Sequence, residues 1–208
     1  MNKDILVTGK NGFIGKALDG GRDFCGRVEN FRELFLASKN IQGIVHLAAA
    51  SHRKKCAQDP IACIRTNLLG VANVLELAKV QKAWVLFIST FQVREQGLYG
   101  ISKLMGEELC RTYQAKGVNV RIIRLPIVYG HNDAYDKVVM RVIRQMKEGK
   151  QVTCSNDEHY FAYVDDVARM IESEVDIMSG GIGTKHSFRD LKEGIKEVLS
   201  TNKGENND

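Results

Sequence analysis

Apolar positions along this chain fall into two kinds of pattern, short unbroken runs and stripes at helical spacing, and the two alternate. Ile5-Leu6-Val7, Gly43-Ile-Val-His-Leu47, Ala83-Trp-Val-Leu-Phe-Ile88 and Val118-Asn-Val-Arg-Ile-Ile-Arg124 are runs suited to strands buried on both faces. Between them, residues 30–37, a long stretch from Asp59-Pro60 to about Lys79, and residues 98–109 read as helices. In the last of these, Leu98, Ile101, Leu104, Met105 and Leu109 recur at helical spacing, which puts Tyr99 and Lys103 four apart on one face. Residues 137–149, a helix opening at Asp165-Asp166, and residues 187–199 follow, with a polar tail over 201–208. Strand and helix in alternation predict an α/β fold: a Rossmann-type doubly wound parallel sheet with helices on both faces. Residues 16–42 leave so little room that the second strand, within 20–28, must be very short or missing. Ser51-His-Arg-Lys-Lys-Cys56 reads as a polar, basic loop at the carboxyl edge of the sheet.

At 208 residues the chain suits one domain, 1–208, with a minimal extension over about 131–200. There is no unbroken run of about 18 apolar residues, and the start opens directly on a strand. The expectation is therefore no membrane span, no signal peptide and a cytoplasmic protein. Cys25, Cys56, Cys63, Cys110 and Cys154 are an odd, scattered set, read as reduced thiols and no metal site. A net charge of +5 would favour an anionic ligand, while no Lys/Arg run is dense enough to suggest nucleic acid.

The chemistry starts at the first strand. Gly9-Lys-Asn-Gly12-Phe-Ile-Gly15 lies between strand and helix, where glycines permit a tight turn and a close approach of backbone to a pyrophosphate. Gly9, Asn11, Gly12, Phe13, Ile14 and Gly15 are thus expected to hold a dinucleotide, NAD or NADP. Asp23 and Glu29 are candidates for its ribose; Lys10, Arg22 and Arg27 could instead meet a 2′-phosphate. The third strand runs out through Leu47 into small residues, Ala48 and Ala49, that let a cofactor pass close over the strand end, with all three expected to border it, and Ser89-Thr90 put hydroxyls at the same edge. Tyr99 beside Lys103 pairs a phenol with an ammonium, and the positive charge should lower the phenol toward the range of a general acid/base. Asp165 and Asp166 read as acids favoured at a helix start, ahead of a catalytic dyad.

Taken together, Thr8-Gly9-x-x-Gly12-x-x-Gly15, His46-Leu-Ala-Ala, residues 67–70, Ser89-Thr90, Tyr99-x-x-x-Lys103, Arg124-x-Pro126 with Tyr129-Gly130, and Tyr163-Val-Asp-Asp-Val167 resemble the extended short-chain dehydrogenase/reductases, the NAD-dependent epimerase/dehydratase family. In part they are similar to capsular-sugar epimerase/reductases. The resemblance implies an epimerase or keto-reductase acting on a nucleotide-linked sugar. In it Tyr99 is the acid/base, Lys103 tunes it and holds the nicotinamide ribose, Thr90 orients the reacting oxygen, and Ser89 and Pro126 border the cofactor. His52, Asn67, Gln92 and His131 are candidates on the substrate side, and a homodimer is implied, paired through the Tyr99 helix and the helix before it. Phe91-Gln92 replace the Asp-Glu of the dehydratases, which argues against dehydration; Ile127 and His159 also depart from the family pattern. Relatives continue past the region of residues 187–199, so a reduced substrate lobe is expected. The rival reading is a non-catalytic NAD(P)-binding regulator or scaffold of the same fold.

Overall fold

The structure is a computed structural model and describes residues 1–94, 97–131, 138–151 and 160–179. The expected helix at 187–199, the polar tail, His159 and Cys154 lie outside the described residues. Strands β1 (Ile5–Thr8), β2 (Arg22–Phe24), β3 (Gly43–His46), β4 (Trp84–Thr90) and β5 (Val120–Leu125) form one parallel sheet in the order β2-β1-β3-β4-β5. The order reverses beside β1, which opens the crevice at the carboxyl ends of β1 and β3 where ligands bind in such sheets. The second strand is present and is three residues long, as the spacing required.

Alternate residues of each strand serve opposite layers. Leu6, Ile44, Val85 and Phe87 pack with Leu34 of α2 (Phe31–Ala37), with Val71, Val74, Leu75 and Leu77 of the helix before β4, and with Cys110 and Tyr113 of α6 (Leu98–Gln114). Ile5, Val7, Val45, Leu86 and Ile88 pack on the other side, against Val167, Ala168, Ile171 and Val175 of α8 (Val164–Met178). The short α1 (Phe13–Ala17) joins this second layer. At the amino edge Gly43 lies under the indole of Trp84, and a methyl group there would come within 2.1 Å of the ring.

The expected loop at 51–56 is in part a helix. Arg53–Gln58 form α3, and Asp59 then caps α4 (Pro60–Ile64), its carboxylate accepting from the Ala62 N–H at 3.0 Å. Cys56 supplies the reason, since one apolar side chain buried to 1% is enough to anchor a single basic turn. Residues 65–69 continue as a π-helical turn into α5 (Gly70–Gln81). By length and composition the helical stretch Pro60–Gln81 could cross a membrane. Its inner side chains, however, form the sheet core. A smaller parallel pair, β6 (Ile127–Tyr129) with β7 (Phe161–Tyr163), packs Tyr129 and Tyr163 against Val139, Met140 and Ile143 of α7 (Val138–Lys147).

Candidate active site

The turn after β1 has the geometry that a pyrophosphate needs. Gly9 takes φ +76°, and a side chain there would meet the Ala48 backbone nitrogen at 2.7 Å; at Gly15 a methyl would lie 2.4 Å from the Gly9 carbonyl. Glycine is therefore required by close packing of the turn on the end of β3, as well as by φ. Gly12 caps α1 with no side-chain hydrogen bond. Of the residues considered for the adenosine ribose, Asp23 alone is tied to this turn by a described bond, from the Asn11 side-chain amide at 3.3 Å. Lys10 is turned away, donating to the Leu18 carbonyl at 2.8 Å, and Arg22 donates to the Lys39 carbonyl at 2.8 Å. Glu29 accepts from Thr66, and Arg27 is exposed.

Tyr99 and Lys103 stand one turn apart near the start of α6, and the Thr90 side chain at the end of β4 hydrogen-bonds Tyr99. The electrostatics differ from the expectation of a lowered phenol. Burial pushes Tyr99 up to about 12, helped by the Cys56 thiol and only partly offset by Thr90. Lys103 is 3% exposed, with Nζ 4.2 Å from the centre of the Phe87 ring, and burial pulls it down to about 8. Desolvation outweighs the charge pairing that four-residue spacing suggested, so at neutral pH Tyr99 holds its proton.

Asn67 proves to be a clamp. Its side chain is 1% exposed; Oδ1 accepts from the Ala50 N–H at 2.8 Å, while Nδ2 donates to the Ala50 carbonyl at 3.2 Å and to Ser102 Oγ at 2.9 Å. It joins the loop after β3 to α6 from the π-helical turn, and its polar atoms are engaged internally, so it is not open to a substrate. Next to it Cys56 donates to the Ala50 carbonyl at 3.1 Å and hydrogen-bonds Cys63, and burial pushes its thiol up to about 12. Both thiols line a cavity of about 460 Å³, together with Ala49, Ala50, His52 and Lys55. His52 thus reaches this cavity. Gln92 sits on the turn after β4, with its N–H on Thr90 Oγ1 at 3.2 Å. His131 is 3.3 Å from the Tyr163 hydroxyl and 3.7 Å from Asp165, at the small sheet. Asp166 pairs with Arg169, so the two acids in the first turn of α8 have separate partners.

Ser89 differs from its expected place beside the cofactor. It is 3% exposed and donates to Glu107 Oε1 at 2.6 Å. Glu107, 0% exposed, also takes Arg124 Nε at 2.8 Å and Nη2 at 2.6 Å. Burial would raise this carboxyl, but the hydrogen bonds from Arg124 and Ser89 and the charges of Arg124 and Arg111 hold it below its ordinary value. Sequence reading passed over Glu107, although an acid one turn beyond Lys103 on the same helix face was a signal that it needed a partner.

Residues 26–173 match the profile of the NAD dependent epimerase/dehydratase family. The chain is 27% identical to UDP-glucuronic acid decarboxylase 1 of Arabidopsis thaliana over 94% of its own length and 58% of that protein's. It is 30% identical to UDP-N-acetyl-alpha-D-glucosaminuronate decarboxylase of Bacillus cytotoxicus, over 74% of this chain and again 58% of the relative. With CDP-abequose synthase of Salmonella muenchen the identity is 27% over 99% of this chain and 81% of the other. Among solved structures, MoeE5 in complex with UDP-glucose and NAD superposes with a TM-score of 0.73 at 24% identity, over 95% of this chain and 81% of that one. Pal from Bacillus thuringiensis reaches 0.79 at 16% identity, over 98% and 99%.

Proposed function

We propose, for a chain that belongs to the NAD dependent epimerase/dehydratase family, that it binds NAD and acts as an epimerase or keto-reductase on a nucleotide-linked sugar. One observation carries the reading: Tyr99, its hydroxyl bonded to Thr90 at the end of β4, and Lys103 stand one turn apart on α6, at the carboxyl edge of the sheet that begins with the glycine turn. The turn at residues 9–15 would hold the pyrophosphate, Asp23 the adenosine ribose, and Leu47, Ala48 and Ala49 would lie under the dinucleotide. Lys103 and Pro126 would meet its nicotinamide end. When bound, NAD supplies or takes the hydride.

The chain's own part is proton transfer and orientation. Protonated at neutral pH, Tyr99 is ready to give its proton to the oxygen of a keto sugar as that oxygen gains charge. Thr90 fixes the phenol and shares the reacting oxygen. In the opposite direction Tyr99, once deprotonated, takes the hydroxyl proton. The relatives named for UDP-glucuronic acid and CDP-abequose support a nucleotide sugar as substrate. The cavity lined by His52 and Lys55 supports an anionic group near its rim.

Mass spectrometry of the native protein should find NAD and a sugar nucleotide co-purifying. Tyr99→Phe should leave NAD affinity nearly unchanged and lower turnover by ~10²- to 10⁴-fold, the loss of a proton-transfer group. More than about half the activity retained by that variant would remove Tyr99 from the mechanism. The chain spans 58% of the length of the first two relatives above. A second reading, a dinucleotide-binding regulator without chemistry, is favoured by one observation: burial pushes Tyr99 up to about 12, away from the range of a general base. NADH binding without turnover of any keto sugar would select it.

A further inference from the structure

We infer that Glu107 is a positioning residue of the hydride-transfer site: one buried carboxylate fixes the elements that carry Thr90, Lys103 and Pro126 and supports the Lys103 ammonium by its charge. The inference rests on the reading of Tyr99 and Lys103 proposed above. Glu107 is on α6, one turn beyond Lys103. Its Oε1 receives Ser89 Oγ at 2.6 Å, and Ser89 is joined directly to Thr90. Both its oxygens receive the fork of Arg124, two residues before Pro126, at 2.8 and 2.6 Å. Arg111 Nη2 adds a contact at 3.2 Å from the half-exposed end of the helix. Three active-site elements thus converge on one side chain with no exposed surface.

A buried ion pair contributes little to stability, and apolar replacements are often neutral or better. Charge-assisted, two-pronged bonds do fix direction and distance closely, and proton transfer between Tyr99, Thr90 and a substrate oxygen is sensitive to both. The groups facing Lys103 are Glu107 and Cys110 on its own helix, His46 on β3 and the Phe87 ring on β4. Burial lowers Lys103 to about 8, and Cys110 and then the Glu107 carboxylate pull it back up. Without that negative charge Lys103 loses its proton at lower pH, and the alkaline limb of activity moves down.

Glu107→Gln in the whole chain keeps the shape and removes the charge. With NAD and whichever of UDP-glucose or UDP-glucuronic acid the wild type turns over, kcat should fall about tenfold or more at nearly constant KM. The alkaline limb of the pH profile should fall by about one unit. NMR of lysine labelled at Nζ, assigned with Lys103→Met, should show the same displacement. A Lys103 titration that stays in place, or a kcat within twofold of wild type, overturns the inference and leaves a structural ion pair. Should Glu107→Gln fail to fold, Arg124→Lys keeps both charges and loses the fork. That variant should lose kcat several-fold with the alkaline limb in place, and a kcat within twofold overturns the inference there too. A wild type that turns over neither sugar ends the hydride-transfer reading alone; NAD affinity across pH then replaces kcat, with the same losses expected.

Discussion

His46 shows how much one side chain can impose. It is 1% exposed at the end of β3, with Nδ1 2.7 Å from the Thr8 hydroxyl and its ring stacked on Phe87. Burial first, and the Lys103 charge second, pull it from 6.5 down to about 3. The unfolded chain therefore takes up a proton near pH 6.5 that the folded protein refuses until about 3. Stability from this source is complete above 6.5 and is lost as pH falls toward 3. Between pH 6.5 and 5.5 the loss should be about 1 kcal/mol, seen as a falling urea midpoint, and His46→Asn should flatten that slope. Neither this histidine nor the raised Tyr99 was legible in the sequence, because spacing reports charges and not burial. Tyr99, Lys103 and Thr90 were legible as a group, since a four-residue interval and a strand end are local facts. Glu107 was not, because Ser89 and Arg124 come to it from other elements, 18 and 17 residues away.

The elements themselves could be read almost wholly from apolar runs, yet α6 is built inside out. Ahead of the core residues Cys110 and Tyr113, its buried side holds Gly100, Ser102, Lys103, Gly106 and Glu107, while Ile101, Leu104 and Met105 are 47%, 37% and 49% exposed. Helical period locates such a stripe and says nothing about which neighbour it faces. β2 is the opposite case: a counting argument required a very short strand, and the strand has three residues. Its consequence is a sparse adenosine end, where Asp23 is the acid joined to the glycine turn. NADH should bind more tightly than NADPH, but by less than the roughly hundredfold that about 2.7 kcal/mol provides, and Asp23→Ala should erase most of the difference. Calorimetric titration of both cofactors checks this, and a thousandfold preference would mean a more elaborate ribose site.

For the molecule as a whole, the outward stripe of α6 lies beside Ile61, Ile64 and Leu69 of the preceding helix, at 61%, 39% and 47% exposure. Leu75 and Leu77 of that same helical stretch face the other way, into the core, at 0%. Contiguous apolar helix faces of this kind suit a two-fold pairing of chains. We therefore propose a homodimer through these two helices, which light scattering at micromolar concentration should detect. Ile101→Arg combined with Met105→Arg should return it to monomer, and a wild type that is only monomeric would end the proposal. The buried indole of Trp84, resting on Gly43 at the amino edge of the sheet, is the only tryptophan of the chain. It lies six residues along β4 from Thr90, about 20 Å at strand rise. In cofactor-free protein its emission should therefore be blind to changes at Tyr99 or Glu107 and should report the integrity of the sheet alone. Gly43→Ala should force the ring toward water and move that emission to longer wavelength, while the chemistry at the far edge carries on unlit.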